Sequence, residues 1–172
     1  MIINLEKHWD EINTIAKERT KLKKSNRIKT KKQDSARNDF LIQLNGLLGE
    51  YAIAEYLNVP VNKENTLGGD GGHDLEFFDK KIEVKYNTYD YGDLYFDKSN
   101  GYFFKADVAF LVVPTSNEKK VRIVGWITRK RFKQIYKIKN YGKGPRQAVT
   151  QDKLTDLEKF TSQVKIKYNY NL

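Results

Sequence analysis

Four carboxylates and three lysines crowd the stretch HDLEFFDKKIEVKY, His73 to Tyr86: Asp74, Glu76, Asp79 and Glu83, with Lys80, Lys81 and Lys85. The stretch reads as two short strands joined by a tight turn. Residues two apart on a strand share a face, so Glu83 and Lys85 project together while Ile82 and Val84 point the other way. With Asp79-Lys80 as a two-residue turn, Phe78 faces Lys81, Glu76 faces Glu83 and Asp74 faces Lys85. That register gathers Asp74, Glu76, Glu83 and Lys85 on one surface and Leu75, Phe77, Ile82 and Val84 on the opposite, apolar one.

Opposed carboxylates repel and weaken a strand pair. A hard divalent cation reverses that balance, because magnesium takes oxygen ligands and commonly uses one or two carboxylates, keeping waters for the rest. A lysine two residues from a metal-bound acid orients a water or neutralises a phosphate oxygen, which is the equipment of metal-assisted phosphodiester hydrolysis. The same residues also fit a solvated strand face held by Asp–Lys pairs.

The elements that must position these groups follow from periodicity. Residues 3 to about 25 read as an amphipathic helix through Leu5, Trp9, Ile12, Ile15 and Ala16. The strongly basic stretch 17–32 reads as a solvated helix end or as a DNA-contacting arm carrying Lys29, Lys31 and Lys32, with Arg37 just beyond. A second helix over about 35–57 is apolar almost all the way round in LLGEYAIAEYL, as buried helices are, and Asn58, Val59 and Pro60 end it. Glu50 and Glu55 are equally apolar-flanked there, so periodicity does not choose between them. Gly46 and Gly49 allow a close approach to a sheet or a DNA strand, which favours Glu50 for a functional role.

The loop TLGGDGGHD lacks the Gly-Lys-Ser/Thr ending of a phosphate-binding loop and the spacing of a calcium loop. It reads as the entry to the first strand, with Asp70 and His73 as loop residues. Strands are predicted near 73–78, 81–87 and 94–97. VAFLVVP, 108–114, is a central strand covered on both faces, and KVRIVGWIT, 120–128, is another. A basic helix is predicted from about 129, then a loop in YGKGPR where Lys143 and Arg146 are placed to touch phosphate, and a final helix over 151–164. The whole is a mixed α/β domain with one central sheet flanked by helices. The aromatics Tyr86, Tyr89, Tyr91, Tyr95, Phe96, Tyr102, Phe103 and Phe104 fit sheet core, a subunit interface, or stacking on unpaired bases.

Composition limits the classes. The chain has 172 residues, 32 Lys and Arg against 22 acids, a formal net charge of +10, and no cysteine. Disulfides and cysteine zinc sites are excluded. Neither a Gly-x-Ser-x-Gly elbow nor a wealth of histidine supports a nucleophilic hydrolase. No apolar run approaches the ~20 residues that cross a bilayer, and MIINLEKHWDEI lacks the layout of a secretion signal, so a cytoplasmic, intracellular location is expected. The basic excess points to a polyanionic partner, of which DNA is the first expectation.

GLLGEYAIAEYL (46–57), GGHDL (71–75) and IEVKY (82–86), in that order, resemble the PD-(D/E)XK, or restriction-endonuclease-like, nuclease superfamily. GDLYFD (92–97) and GYFFKADVAFLVV (101–113) look like the next strands of such nucleases, and GWIT-RKRF and YGKGPRQAVTQDKL resemble the C-terminal part of small phage and prokaryotic members, including junction resolvases. The resemblance covers about residues 36–160 and implies a restriction-endonuclease-like core over 36–172 behind a basic N-terminal helix and arm, 1–35. It assigns Asp74 and Glu83 to metal binding, the Val84 backbone carbonyl to a third ligand position, Lys85 to catalysis, and Glu50 to the acid that many members place on the preceding helix. The implied cofactor is Mg²⁺, with Mn²⁺ able to substitute. His73 stands where the family name has a proline. Two functions follow: a metal-dependent DNA endonuclease, junction-resolving or site-specific and homodimeric because two strands must be cut, or a non-catalytic DNA-binding or assembly protein on the same fold.

Overall fold

The computed structural model describes residues 1–26, 38–61, 73–97, 104–142 and 144–168, the side chains of 164–168 excepted. Lys29, Lys31, Lys32, Arg37, Asp70, Tyr102, Phe103 and Lys143 lie outside the described residues.

The apolar run β5 (Val108–Pro114) is the middle strand of a five-stranded mixed sheet. It pairs parallel to β3 (Lys80–Tyr86) and antiparallel to β6 (Lys120–Thr128). Outside these lie β2 (Leu75–Phe77), antiparallel to β3, and β1 (Ile2–Asn4), antiparallel to β6. The alternation along β5 separates two cores. Val108, Phe110 and Val112 pack with α1 (Trp9–Ser25), α2 (Asp39–Leu57) and the start of α4 (Leu157–Tyr168). Ala109, Leu111 and Val113 face a second core under the antiparallel sheet β4 (Leu94–Asp97), β8 (Pro145–Val149), β7 (Lys137–Asn140) and under α3 (Arg129–Ile135). Each fully buried large side chain, such as Phe110, contributes roughly 1.5–3 kcal/mol. The architecture is mixed α/β.

Helix α2 is the apolar cylinder that the sequence predicts. Asn38 caps it through the Phe40 N–H at 3.0 Å, and Asn58 ends it in a left-handed conformation, φ 53°, which asparagine tolerates better than most residues. Gly49 lets it close on the sheet: a Cβ there would stand 3.0 Å from Val84 Cγ1.

Four expectations are corrected. The first helix starts at Trp9, because Ile2–Asn4 is taken by pairing with β6 and Glu6–His8 forms a single 3-10 turn. The loop after α3 contains the strands β7 and β8, which build a second sheet with β4. The final helix begins at Leu157, preceded by a 3-10 turn at Gln151–Lys153 and by Thr155, which exchanges backbone hydrogen bonds with Trp126. The hairpin register moves: Phe77 faces Lys80, Glu76 faces Lys81 and Leu75 faces Ile82. Its turn is Phe78-Asp79, with Phe78 at φ 51°, the sign that the first central residue of a type II′ turn requires.

Candidate functional site

The corrected register still leaves the two faces as the alternation predicts. Leu75, Phe77, Ile82 and Val84 are buried against the helical layer, while Glu83 and Lys85 stand on the other face. What changes is the partner of each acid. The ladder stops at Leu75–Ile82, and Asp74 lies in a bend just before it, where the charges of both Glu83 and Lys85 act on it. Glu76 leaves the cluster; it is 63% exposed and pairs with His73 Nε2 at 2.9 Å.

Asp74 sits just before β2 begins, beside the part of β3 that runs on past it. Its N–H donates to the Ile82 carbonyl at 2.8 Å, and its Oδ2 accepts from the Val84 N–H at 2.6 Å. The carboxylate thus does for β3 what the next residue of a strand would do. The N–H and C=O of one strand residue point to the same edge, so the Val84 carbonyl faces the edge that Asp74 caps. At this edge the charges of acids from two layers both act on Asp74. Glu83 comes from one face of the sheet and Glu50 from α2 on the other.

The electrostatics of Asp74 are unusual. Burial pushes its pKa up from 3.8 to about 8; the Glu83 charge adds to the rise, Lys85 opposes it, and Glu50 adds a smaller push. Desolvation and a nearby like charge both disfavour the ionised form. Lys85 is in the converse position. Desolvation works to lower its pKa, but Glu83 and Asp74 outweigh that and hold the ammonium above its ordinary value. Lys85 is directly ion-paired to Glu83 and its Nζ lies 5.3 Å from the centre of the Phe96 ring. Glu50, 17% exposed, meets Arg19 of α1, whose Nη1 is 3.4 Å from both of its oxygens.

The donor set fits a hard cation. Two acids and a backbone carbonyl provide oxygen only, and at Asp74 desolvation and the Glu83 charge outweigh the Lys85 ammonium and the Val84 N–H. Among the described residues no three or more His, Cys, Asp or Glu side chains gather as a metal-holding group; two carboxylates with water is what magnesium commonly uses.

The remaining sequence candidates are dispersed. Glu55 points away from the site, bonded to Lys7 Nζ at 2.7 Å and to His8 Nε2 at 3.3 Å. Arg146 is engaged by Asp97 at 2.5 Å across β4 and β8. His73 is 15% exposed and its Nδ1 is buried without a hydrogen-bond partner among the described residues. Phe96 and Phe104 stack at 4.7 Å in the second core, whereas Tyr89 and Tyr91 remain exposed. Sequence reasoning missed Arg19, since only packing of α1 on α2 brings it to Glu50; one arginine in a run of basic residues carries no local signal.

No helix among the described residues is long and apolar enough to cross a membrane. No family model matches the chain, and neither a curated protein nor a solved structure matches it.

Proposed function

We propose that the protein is a divalent-metal-dependent DNA endonuclease with a restriction-endonuclease-like core, working as a homodimer. The observation that carries this reading is Asp74: a half-buried carboxylate that accepts the Val84 N–H at 2.6 Å on the strand carrying the Glu83–Lys85 ion pair, where desolvation and the Glu83 charge raise its pKa. A chain of net charge +10 that keeps such a carboxylate cluster suits a substrate that is itself polyanionic and accompanied by cations. The order helix, acid before the first strand, then Glu-Val-Lys on the second, supports the resemblance noted above.

In this reading Asp74, Glu83 and the Val84 carbonyl would hold Mg²⁺, or Mn²⁺ in its place. When bound, such an ion polarises a phosphoryl oxygen and lowers the pKa of water. The chain's own groups have separable tasks. Lys85, with its proton firmly held, donates rather than accepts; it orients the attacking water or neutralises a phosphate oxygen. Glu50, kept in place by Arg19, adds negative charge from the helical side. Val84 and Ile82 anchor β3 in the core, so the groups on its far face and edge are held by a packed strand rather than a loop.

Incubation of supercoiled or branched DNA with Mg²⁺, comparing the wild type with Asp74→Ala and Lys85→Ala, tests the reading. Cleavage by the wild type alone is expected, and equal cleavage by all three removes these residues from the mechanism. One observation favours a second reading, a DNA-binding or assembly protein that makes no cut: Glu83 and Glu50 are each already met by a cation of the chain, Lys85 and Arg19. DNA binding without hydrolysis in Mg²⁺ or Mn²⁺ would select it.

A further inference from the structure

The loop that follows Lys85 carries the two most exposed aromatic side chains among the described residues, Tyr89 at 60% and Tyr91 at 76%. Their rings lie together, centres 5.6 Å apart and planes inclined by 30°. Exposed apolar groups are ordinary when scattered singly. A paired set on a braced loop is not ordinary.

The bracing is extensive. Asn87 is buried, and its N–H donates to the Val112 carbonyl at 2.9 Å. Its side chain spans the loop, giving Nδ2–H to the Asp93 carbonyl at 2.9 Å and accepting the Tyr89 N–H at 3.1 Å. Gln151 Nε2 donates to the carbonyls of Asp90 and Gly92, each at 2.9 Å, and Arg122 Nη2 donates to the Asp90 carbonyl at 2.7 Å. Gly92 is obligatory in this arrangement, because a Cβ there would come within 2.1 Å of Asn87 Cγ. The loop therefore spends its polar groups on fixing its own shape, and the two tyrosines are displayed at little conformational cost. Tyrosine suits such a display, with a large flat contact and few rotatable bonds.

We propose that Tyr89 and Tyr91 form a stacking platform for an unpaired nucleobase of the DNA strand that enters the Lys85 site. The inference rests on the nuclease reading for the identity of the strand. Three observations select this occupant. Tyr89 is four residues from Lys85, at most about 14 Å along the chain, which is a few nucleotide steps. The chain's net charge of +10 complements a polyanion. Two rings, each able to bury about 150–250 Å², match the contact area of one or two stacked bases. Such a platform gives preference for branched, flapped or single-stranded DNA over continuous duplex.

The test is metal-free binding by the full chain, in EDTA. Fluorescence anisotropy compares a labelled duplex bearing a single-stranded flap with a fully paired duplex. Tyr89→Ala/Tyr91→Ala is expected to weaken flap binding about five- to a hundredfold, the range of base-on-aromatic stacking, and to leave duplex binding unchanged. Tyr89→Trp/Tyr91→Trp is expected to retain flap binding. Equal losses on both DNAs, or no loss on either, overturn the platform, as does an alanine variant whose main change in sedimentation is lost self-association. Failure of the nuclease reading is separable: a wild type that prefers the flap through these tyrosines yet never cuts in Mg²⁺ keeps the platform and loses the nuclease. A wild type that cuts, with a flap preference indifferent to both tyrosines, does the reverse.

Discussion

Two acid–lysine constellations lie at the two sides of α2, and they titrate in opposite directions. Glu55 is paired to Lys7 and His8, and the hydrogen bond from Lys7 holds its carboxyl below the usual value despite some opposing burial. Asp74 has Lys85 as a neighbour too, yet its burial and the Glu83 charge push it up to about 8. Each has an acid beside a lysine; solvent and the second acid differ. Glu55 is 37% exposed, where an ion pair is complete in itself and worth little. At Asp74 the nearby Lys85 ammonium is ion-paired to Glu83, so desolvation and the Glu83 charge outweigh it and the carboxyl keeps its proton to a higher pH. A desolvated carboxylate with a raised pKa, rather than the mere presence of acids and lysines, is what distinguishes a candidate site from a surface pair.

The comparison breaks most visibly in activity. If the proposed nuclease is correct, Asp74→Ala and Lys85→Ala each lower the cleavage rate on branched DNA by about 10²–10⁴-fold, the range for a positioned proton-handling or charge-neutralising group, while Glu55→Ala leaves it unchanged. Glu50→Gln is expected to cost about 10–100-fold, as groups that support a metal site from outside do. Single-turnover cleavage assays measure both.

Stability against pH sharpens the contrast. Between 3.8 and about 8 the folded chain holds a proton on Asp74 that the unfolded chain has released. Folding then binds more protons than unfolding, so this group's contribution falls as pH rises through that window. Glu55 has the opposite sign: its contribution is present above its ordinary 4.5 and is lost as pH falls below it. Urea titrations of the metal-free protein at pH 5 and pH 8 are expected to show Asp74→Asn relatively more stable than the wild type at pH 8, with the gap closing toward pH 5. Glu55→Gln is expected to differ little from the wild type, by no more than about 1 kcal/mol. Between these falls Gly49→Val, which forces bulk toward Val84 Cγ1 and is expected to cost about 1–3 kcal/mol, read as a lower denaturation midpoint at any pH.

How much of this was legible before folding depends on the kind of signal. The strand period of two placed Leu75, Phe77, Ile82 and Val84 inside and Glu83 and Lys85 opposite, and the structure keeps those faces. The register was not legible, because it turns on Phe78 taking a left-handed φ of 51° in a turn where glycine would have announced itself. The face of the sheet therefore reads correctly, while the expected Glu76–Glu83 and Asp74–Lys85 pairs do not form: Glu76 faces Lys81, and Asp74 lies in a bend before β2. Strands β7, KIKN, and β8, PRQAV, are invisible for a different reason. They are short and polar, flank a glycine-containing loop, and owe their form to pairing with each other and with β4. Glu50 and Glu55 could not be ranked by periodicity in a helix apolar on every side. Contacts made by α1 separate them, Arg19 taking one and the turn at Lys7 and His8 lying beside the other.

The most direct test is Mn²⁺ binding, followed by the electron paramagnetic resonance of free ion, to the wild type, Asp74→Ala, Glu83→Ala and Glu55→Ala. One class of bound Mn²⁺ is expected in the wild type and in Glu55→Ala, and its loss in the other two. Equal binding by all four, or loss in Glu55→Ala alone, would contradict it.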